Sequence, residues 1–233
     1  MAQKKFSIEG VGEILVVKRR RSRHLRISIS PAGTARVSIP YWAPYSTGVN
    51  FAKSKAKWLQ KNIDRNSANK LPIGAKIGKN HTLSFSQISS RKTSTRVSQL
   101  EVKVVSSHPF DHPEVQLAMK SAAERALKRQ AMNLLPLRTA GLAKKHGYSY
   151  SSIKIKKLTS RWGSCNSRKE ITLSYFLMQL PWRLIDYVIL HELVHTVHLD
   201  HSRAFWHEMD KLLPNIKELR REARQHKPYL KVS

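Results

Sequence analysis

Hydrophobic and polar residues alternate over the first forty positions of the chain. "EILVVK" has the composition of a strand, and after a basic stretch the apolar side chains recur at every second position: Leu25, Ile27, Ile29, then Val37 and Ile39. A period of two is typical of half-buried strands, and the intervening "SPAGT" has the residues of a tight turn. The pattern therefore predicts a β-rich start that contains a hairpin.

The period then changes to that of a helix. An amphipathic helix with lysines outside is predicted for 47–65, from five apolar residues spaced three or four apart: Val49, Ala52, Ala56, Leu59 and Ile63. The next segment, 66–108, has weaker patterns ("LPIGAKIG", "HTLSFSQI" and "TRVSQLEVKVV") that favour short strands joined by polar loops. We find no internal repeat in the sequence.

Helical periodicity dominates the second half of the chain. It is strongest over 114–145, where Pro136 is expected to kink or split the helix and Gly147 to end it. "SSIKIKKLTS" and "ITLSYFL" alternate as strands around a turn-rich link, "RWGSCNSRKE". Three more helices are predicted, in "LPWRLIDYVILHELVHTVHLD", "HSRAFWHEMDKLLPN" and "IKELRREARQHK". The fold class is thus α+β, with residues 1–110 a β-rich basic N-terminal region holding one helix and 111–233 a second domain.

The charge of the chain adds a candidate partner. The 233 residues carry a formal net charge of +28, from 43 Lys and Arg against 15 Asp and Glu. The excess is spread along the chain: residues 1–110 hold 21 basic and 4 acidic residues, a net of +17. Such a field attracts polyanions, so nucleic acid is a candidate partner through the basic surface. The alternative is a general basic bias that aids solubility, since no recognisable nucleic-acid-binding motif is present.

Other bulk features indicate the compartment. Cys165 is the one cysteine, so an internal disulfide is excluded and a reducing compartment is the simpler interpretation. The chain has no run of about 18 apolar residues, and "MAQKKFSIEG" lacks the apolar segment of a secretory signal. We therefore expect a cytoplasmic protein without a membrane partner.

The stretch "HELVHTVHLDH", residues 191–201, carries the candidate chemistry. His191 and His195 are four residues apart, so on a helix both imidazoles lie on one face and can reach one ion. Glu192 follows the first histidine and points about 100° round the helix, beside the ion. This H-E-x-x-H arrangement is that of zinc peptidases, with the glutamate as the base. An apolar back, which includes Ile185 and Ile189, would seat the helix in a core.

A catalytic zinc ion usually has three protein ligands and a water, so a third ligand is needed. His201 can return to the site only if the helix stops near Leu199–Asp200, and we favour it because the break has no other evident purpose. His198 is the competitor, since at three residues past His195 it could meet the ion on an unbroken helix.

Three alternatives for the metal chemistry stay open. Cys165 could be a fourth ligand that blocks the water, although a lone cysteine is more often a small buried hydrophobe. The cluster could be a closed site that only stabilises the fold. His108 and His112 could bind a second ion, but a polar loop is the preferred interpretation.

Several motifs resemble one known family. "RWGSC" at 161–165, "ITLSYFL", "LIDYVILHELVH" and "HSRAFW", with "RSRHLRISISPAGTARVSIP" and "AKSKAKWLQK" in the front half, are similar to the YgjP-like metallopeptidases, which are grouped with the SprT-like and WLM zincins. The resemblance implies a zincin-like C-terminal metallopeptidase domain, with helices packed on a small mixed sheet and an HExxH active-site helix. It also implies one Zn²⁺ ion held by His191, His195 and His201, with Glu192 as the catalytic acid/base. Segment 66–108 does not match.

The expected substrate is a protein or peptide. In such enzymes a strand before the H-E-x-x-H helix offers an edge for an extended peptide, and "ITLSY", 171–175, is the candidate. Thr172, Ser174 and His198 are accordingly predicted to contact the substrate. Some related zincins act on proteins crosslinked to DNA, which would give the basic surface a role. The rival functions are a nucleic-acid-associated protein with a structural metal site, and a zinc hydrolase of other substrates.

Overall fold

The first region of the chain folds as a four-stranded sheet. The structure is a computed structural model, and it describes residues 2–20, 22–29, 35–61, 70–89 and 92–230. The strands run in the spatial order β1-β2-β4-β3, and β2 and β4 pair in parallel while the other two pairs are antiparallel. Their bounds are β1 (Gln3–Ile8), β2 (Gly12–Arg19), β3 (Arg26–Ile29) and β4 (Ala35–Pro40). The expected antiparallel pairing of β3 with β4 is present, and its turn at 30–34 lies outside the described residues.

One helix covers this sheet. Helix α1 (Tyr45–Ser54) follows β4, and the chain is helical again over 56–61. Gly48 faces the sheet so closely that a Cβ there would lie 2.6 Å from Val16 Cγ1. The predicted helix at 47–65 is interrupted at Lys55. Its last apolar position, Ile63, lies outside the described residues.

A second four-stranded sheet repeats the topology of the first. Its order is β5-β6-β8-β7, and β6 and β8 are the parallel pair between two antiparallel ones. The strands are β5 (Lys76–Ile77), β6 (His81–Gln87), β7 (Ser94–Val97) and β8 (Glu101–Ser106), and helix α2 (Pro113–His146) follows. The fold thus repeats a connectivity although the sequence shows no internal repeat, because a shared strand order needs no shared residues.

Helix α2 joins the second sheet to the rest of the molecule. It begins with Pro113 in its first turn and ends at Gly147, whose φ of 74° is left-handed. Pro136 lies inside the helix and does not split it. Gln130 of α2 donates from Nε2 to the Ile77 carbonyl, and its Oε1 accepts from the backbone N–H of Lys79. These bonds tie the helix to the start of the second sheet.

The last region places a small mixed sheet beside three helices. Strand β11 is central in this sheet, antiparallel to β10 and parallel to β9. The elements are β9 (Ser152–Lys156), β10 (Gly163–Cys165), β11 (Glu170–Ser174), a 3-10 helix (Tyr175–Gln179), α3 (Trp182–Val194), α4 (Arg203–Leu212) and α5 (Ile216–Gln225). The mixed α+β class is confirmed, and the segment expected to be only a turn-rich link contains β10.

The buried apolar residues form two clusters. The first extends from Ile8 to Leu59 and joins the first sheet to its helix. The second extends from Leu71 to Ala223 and includes the second sheet together with all the later helices. The two cores therefore divide between Leu59 and Leu71, whereas the sequence-based domain boundary falls at 110; the division into domains stays a prediction. Among the described residues, no helix is both long and apolar enough to cross a bilayer.

Candidate metal centre

The C-terminal end of α3 carries the candidate chemistry. The apolar face of α3 is buried in the second core, which fixes its last turn and the side chains of His191 and Glu192. The helix ends at Val194, earlier than the stop predicted near Leu199–Asp200. Both the backbone N–H and the hydroxyl of Thr196 donate to the Leu193 carbonyl, so the chain tightens and turns away from the helix axis.

Three imidazoles meet beyond this helix end. His191, His195 and His201 each offer a ring nitrogen, and these nitrogens all lie within 4.8 Å of one another. The Nε2 atoms of His191 and His201 are 3.1 Å apart. Zinc–nitrogen bonds of about 2.0–2.1 Å in a tetrahedron separate ligand nitrogens by about 3.3 Å, close to the observed spacing. The buried ring of Phe205 packs against all three imidazoles, with centroid distances of 4.9, 4.6 and 4.8 Å.

His198 acts on this cluster through its backbone. Its carbonyl oxygen lies 2.8 Å from Nδ1 of His195, so that nitrogen carries the proton and Nε2 of His195 keeps its lone pair. The side chain of His198 is not part of the cluster among the described residues. The structure therefore brings His201, rather than the competing His198, to the other two imidazoles.

His191 and His195 are held in the form that binds a metal. Burial lowers the pKa of His191 to about 3, and the positive fields of His195, His201 and Arg220 act in the same direction. Burial also lowers the pKa of His195. A neutral imidazole is the species that coordinates a divalent cation, so His191 and His195 can bind zinc without first releasing protons. Nδ1 of His191 is buried and has no hydrogen-bond partner among the described residues.

Glu192 lies in a confined, water-poor position next to the cluster. It is 5% exposed, and burial raises its pKa to about 8, a rise that the nearby Arg161 opposes. Gly163 of β10 lies against it: a Cβ on that glycine would be 2.6 Å from Glu192 Oε1 and 2.8 Å from its Cγ. Gly163, the glycine of "RWGSC", thus leaves the space that the Glu192 side chain occupies. This role could not be recognised from the sequence, because the residues around Gly163 do not show which side chain approaches it in the fold.

Cys165 does not join the three histidines. Its thiol donates to the Asn166 carbonyl at 3.5 Å, and its sulfur is absent from the described cluster. Burial raises the pKa of this thiol to about 11, and the Glu192 carboxylate adds to the rise. The alternative of a fourth cysteine ligand is not supported by this geometry.

A pocket of about 950 Å³ opens onto the cluster. Glu192, His191 and His201 lie in its floor, and its other lining side chains are mostly aromatic or cationic. The aromatic ones are Trp162, Tyr187, Trp206 and Tyr229, and the cationic ones are Arg161, Arg220, Arg224 and Lys227. The pocket is therefore shaped for a ligand with both apolar and negatively charged parts.

The three predicted substrate contacts, Thr172, Ser174 and His198, do not line this pocket. Ser174 is fully buried and its hydroxyl donates to the Leu158 carbonyl, which makes it a structural residue. The proposed edge at 171–175 is also wrong, because β11 is the central strand. Alternating hydrophobicity identified a strand but not its neighbours; the strands with an open side in this sheet are β9 and β10, and of these β10 contributes Gly163 to the pocket.

The second candidate pair lies away from this pocket. His108 and His112 stack in parallel with centroids 4.0 Å apart, and Glu114 completes a group whose ligand atoms are within 4.8 Å. His112 Nδ1 accepts a hydrogen bond from the Glu114 backbone and so caps α2. This capping role accounts for His112 without a metal, in agreement with the preferred interpretation of a polar loop.

A comparison with curated proteins gives no match. Among solved structures, the metallopeptidase zymogen abylysin of Pyrococcus abyssi is similar at 22% identity and a TM-score of 0.37, over 40% of this chain and 93% of that one. That likeness is too low to carry an argument. A family model described as "YgjP-like, metallopeptidase domain" matches residues 23–226, well over half of the sequence, so the chain belongs to the YgjP-like metallopeptidase family.

Proposed function

We propose that the protein is a zinc-dependent peptidase whose ion is held by His191, His195 and His201, with Glu192 as general acid/base. The observation that carries this proposal is the convergence of three imidazoles beside one buried carboxyl group in a pocket. Membership of a metallopeptidase family supports a metal ion and a protein substrate. Zinc is the divalent cation most consistent with an all-imidazole donor set that leaves a position open.

The chemistry divides between the ion and Glu192. A bound zinc ion would supply a water of lowered pKa and a Lewis acid for the scissile carbonyl. Glu192 accepts the proton of the attacking water and delivers it to the leaving amine. Burial raises the pKa of Glu192 to about 8 in the metal-free protein, and the charge of a bound divalent cation would lower it toward the ionised form that accepts a proton. The absence of a side chain at Gly163 keeps this carboxyl at the pocket floor.

The open side of β10 is the proposed place for the substrate backbone. Gly163 lies both in this strand and in the pocket lining, and β11 pairs with the other side of β10. An extended peptide that adds to this side would satisfy its backbone groups and pass over Glu192. Strand β10 therefore replaces β11 as the substrate edge.

A Glu192→Gln variant tests the proposal. It keeps the shape of the side chain but removes its ability to carry a proton, so peptide hydrolysis should fall by about 10²–10⁴-fold. Zinc content, measured by elemental analysis of the purified protein, should stay at one ion per chain. Hydrolysis at the wild-type rate by this variant would refute the assigned role of Glu192.

A pair of histidine variants tests the third ligand. His201→Ala removes an imidazole of the cluster, so zinc affinity measured against a competing chelator should fall by at least about tenfold. His198→Ala is the matched control, because the structure uses its carbonyl and not its ring. Loss of zinc in the His198 variant alone would show that the wrong histidine has been assigned.

Nucleic-acid binding is a second candidate function, favoured by one surface of the first region. Residues 1–61 hold 13 basic and 2 acidic residues. Trp42 is 80% exposed, and next to it Lys18 and Arg20 lie 5.9 and 5.5 Å from the ring of Tyr41. An exposed aromatic side chain among cations is how proteins stack on the bases of a single strand.

This second function has its own test. A labelled single-stranded oligonucleotide should bind with an affinity that falls steeply as salt rises. Trp42→Ala should weaken binding by about tenfold, whereas Leu100→Ala, which removes an exposed apolar side chain just before β8, should not. Equal losses in both variants, or no binding at low salt, would remove this candidate.

A further inference from the structure

The pocket beside the metal centre has an unbalanced positive charge. Its lining holds Arg161 on one side and Arg220, Arg224 and Lys227 on the other, while its single carboxyl group is Glu192. None of these four cations lies within ion-pair distance of a carboxylate in the part of the chain that the structure describes. Arg161 is near enough to act on Glu192, but Arg220, Arg224 and Lys227 have no such partner among the described residues, and three uncompensated cations in one concave space create a strong local attraction for an anion.

Acidic and basic side chains of helix α5 lie on different faces of the helix. Its Glu222 pairs with Arg183 of α3, away from the pocket lining. Arg220 and Arg224 are one turn apart on the same helix and point into the pocket without an acidic partner. Two like charges at this spacing destabilise a helix slightly, so the folded chain bears a cost that a bound anion would remove.

Arg220 is also oriented by a neighbour. Its guanidinium carbon lies 4.2 Å from the ring centroid of Trp206, and that ring stacks on His201 at 5.8 Å. Stacking on an aromatic face fixes the plane of a guanidinium and leaves its N–H groups pointing sideways, where they can bind an oxyanion in pairs. The cation therefore stands beside the candidate metal ligands in a defined orientation, unlike a mobile surface charge.

We propose that this pocket selects substrates with an anionic oxygen group, a carboxylate or a phosphate, which binds Arg220, Arg224 and Lys227 next to the scissile bond. The inference rests on the proposed function, because it treats the same pocket as the substrate site. It goes further in naming the substrate class: acidic peptides rather than neutral or basic ones. A bidentate pairing of a carboxylate with Arg220, supported by Arg224, is the expected contact.

Binding without turnover provides the test. Zinc-loaded Glu192→Gln protein is titrated with positional-scanning peptides in which one position is either Glu or Gln, with affinity measured by calorimetry. At the position that faces α5, the Glu peptides should bind about tenfold more tightly, because hydrogen bonds to charged groups are worth more than those to neutral ones. Raising the salt concentration should reduce this preference. No preference at any position would overturn the proposal.

Charge reversal separates the pocket from the general basic character of the chain. Arg220→Glu combined with Arg224→Glu should abolish or invert the preference for acidic peptides. Arg221→Glu combined with Lys217→Glu is the matched control, since both residues are exposed on α5 and lie outside the pocket lining. If the control loses the preference equally, the effect comes from net charge and the proposal is wrong.

Further arms identify the source of the anion. Peptides with a free C-terminal carboxylate are compared with their amides, and phosphoserine peptides with serine peptides; inorganic phosphate is the competitor. A preference confined to the free C-terminus assigns a terminal carboxylate, and a preference confined to phosphoserine assigns a phosphate. Wild-type protein that binds acidic peptides but cleaves none would reject the peptidase proposal and leave the anion site intact.

Discussion

The two four-stranded sheets have the same connectivity but different roles in the molecule. Each has the order first-second-fourth-third, one parallel pair in the middle, and a helix that follows. The first helix, α1, has 10 residues and closes a separate core with its own sheet. The second, α2, has 34 residues and reaches the core that supports the histidines. Connectivity alone therefore does not decide the role of a sheet. The two sheets differ in the length of the helix that follows, and only the longer helix reaches the core that supports the histidines.

We propose on this basis that the chain divides into a unit up to residue 61 and a unit from residue 70 onward. The first unit carries most of its charge outside and has no buried ionisable side chain among its described residues. The second buries Glu192 and His195 at its candidate site. Matched substitutions in the two units distinguish them.

The largest expected effect comes from one buried carboxylate placed in each sheet. Val104 in β8 and Val37 in β4 are both fully buried, and burial of an unpaired charge costs several kcal/mol. Val104→Asp should unfold the second unit and abolish zinc binding. Val37→Asp should destabilise only the first unit and leave one zinc ion per chain, as measured by thermal unfolding and elemental analysis. Loss of zinc in both variants would show that the two cores form one unit.

A smaller effect is expected from the two closely packed glycines. Gly163→Ala places a methyl group within 2.6 Å of Glu192 Oε1, so it should lower peptide hydrolysis by about 10²-fold while zinc stays bound. Gly48→Ala makes an equally short contact with Val16 and should cost about 1–3 kcal/mol of stability without changing the rate of hydrolysis. Rates and unfolding curves for both variants test the contrast; unaltered hydrolysis by the Gly163 variant would contradict the positioning role.

The smallest effect concerns the pH dependence of the metal-free protein. Glu192 has a folded-state pKa of about 8, raised by burial above its ordinary 4.5, so its contribution to stability is complete below pH 4.5 and is lost as the pH rises through 8. Removal of this group by Glu192→Gln should therefore stabilise the metal-free protein at pH 8.5, where the buried carboxylate is ionised. At pH 4.5 the two proteins should unfold at similar temperatures. Identical unfolding at both pH values would contradict a strongly raised pKa.

The sequence predicted the parts of the site that depend on local spacing. His191 and His195 are one helical turn apart, and the residue types just before His201 favour the end of a helix. The grouping of these three histidines therefore follows from local geometry. The early end of α3 could not be predicted, because the bonds of Thr196 to the Leu193 carbonyl and of His195 to the His198 carbonyl exist only in the folded chain. The contact of Gly163 with Glu192 is likewise tertiary and has no local signal.

The sequence also could not show which strands lie next to one another in the sheets. The alternation in "ITLSY" identified a strand correctly, yet pairing on both sides depends on segments before and after it, and β11 proved central. The same limit concealed the repeated connectivity of the two larger sheets. Periodicity reports which face of a strand is buried and contains no information about which strands flank it.

The early end of α3 has an electrostatic consequence. Aligned peptide dipoles give the last turn of a helix a partial negative charge of about half a unit, carried by carbonyls that lack a helical partner. His191 and His195 stand in that turn because the helix stops at Val194. A helix that continued to Asp200 would have moved this negative pole about 9 Å away. The backbone itself thus favours a positive ion between these imidazoles, before any side chain contributes.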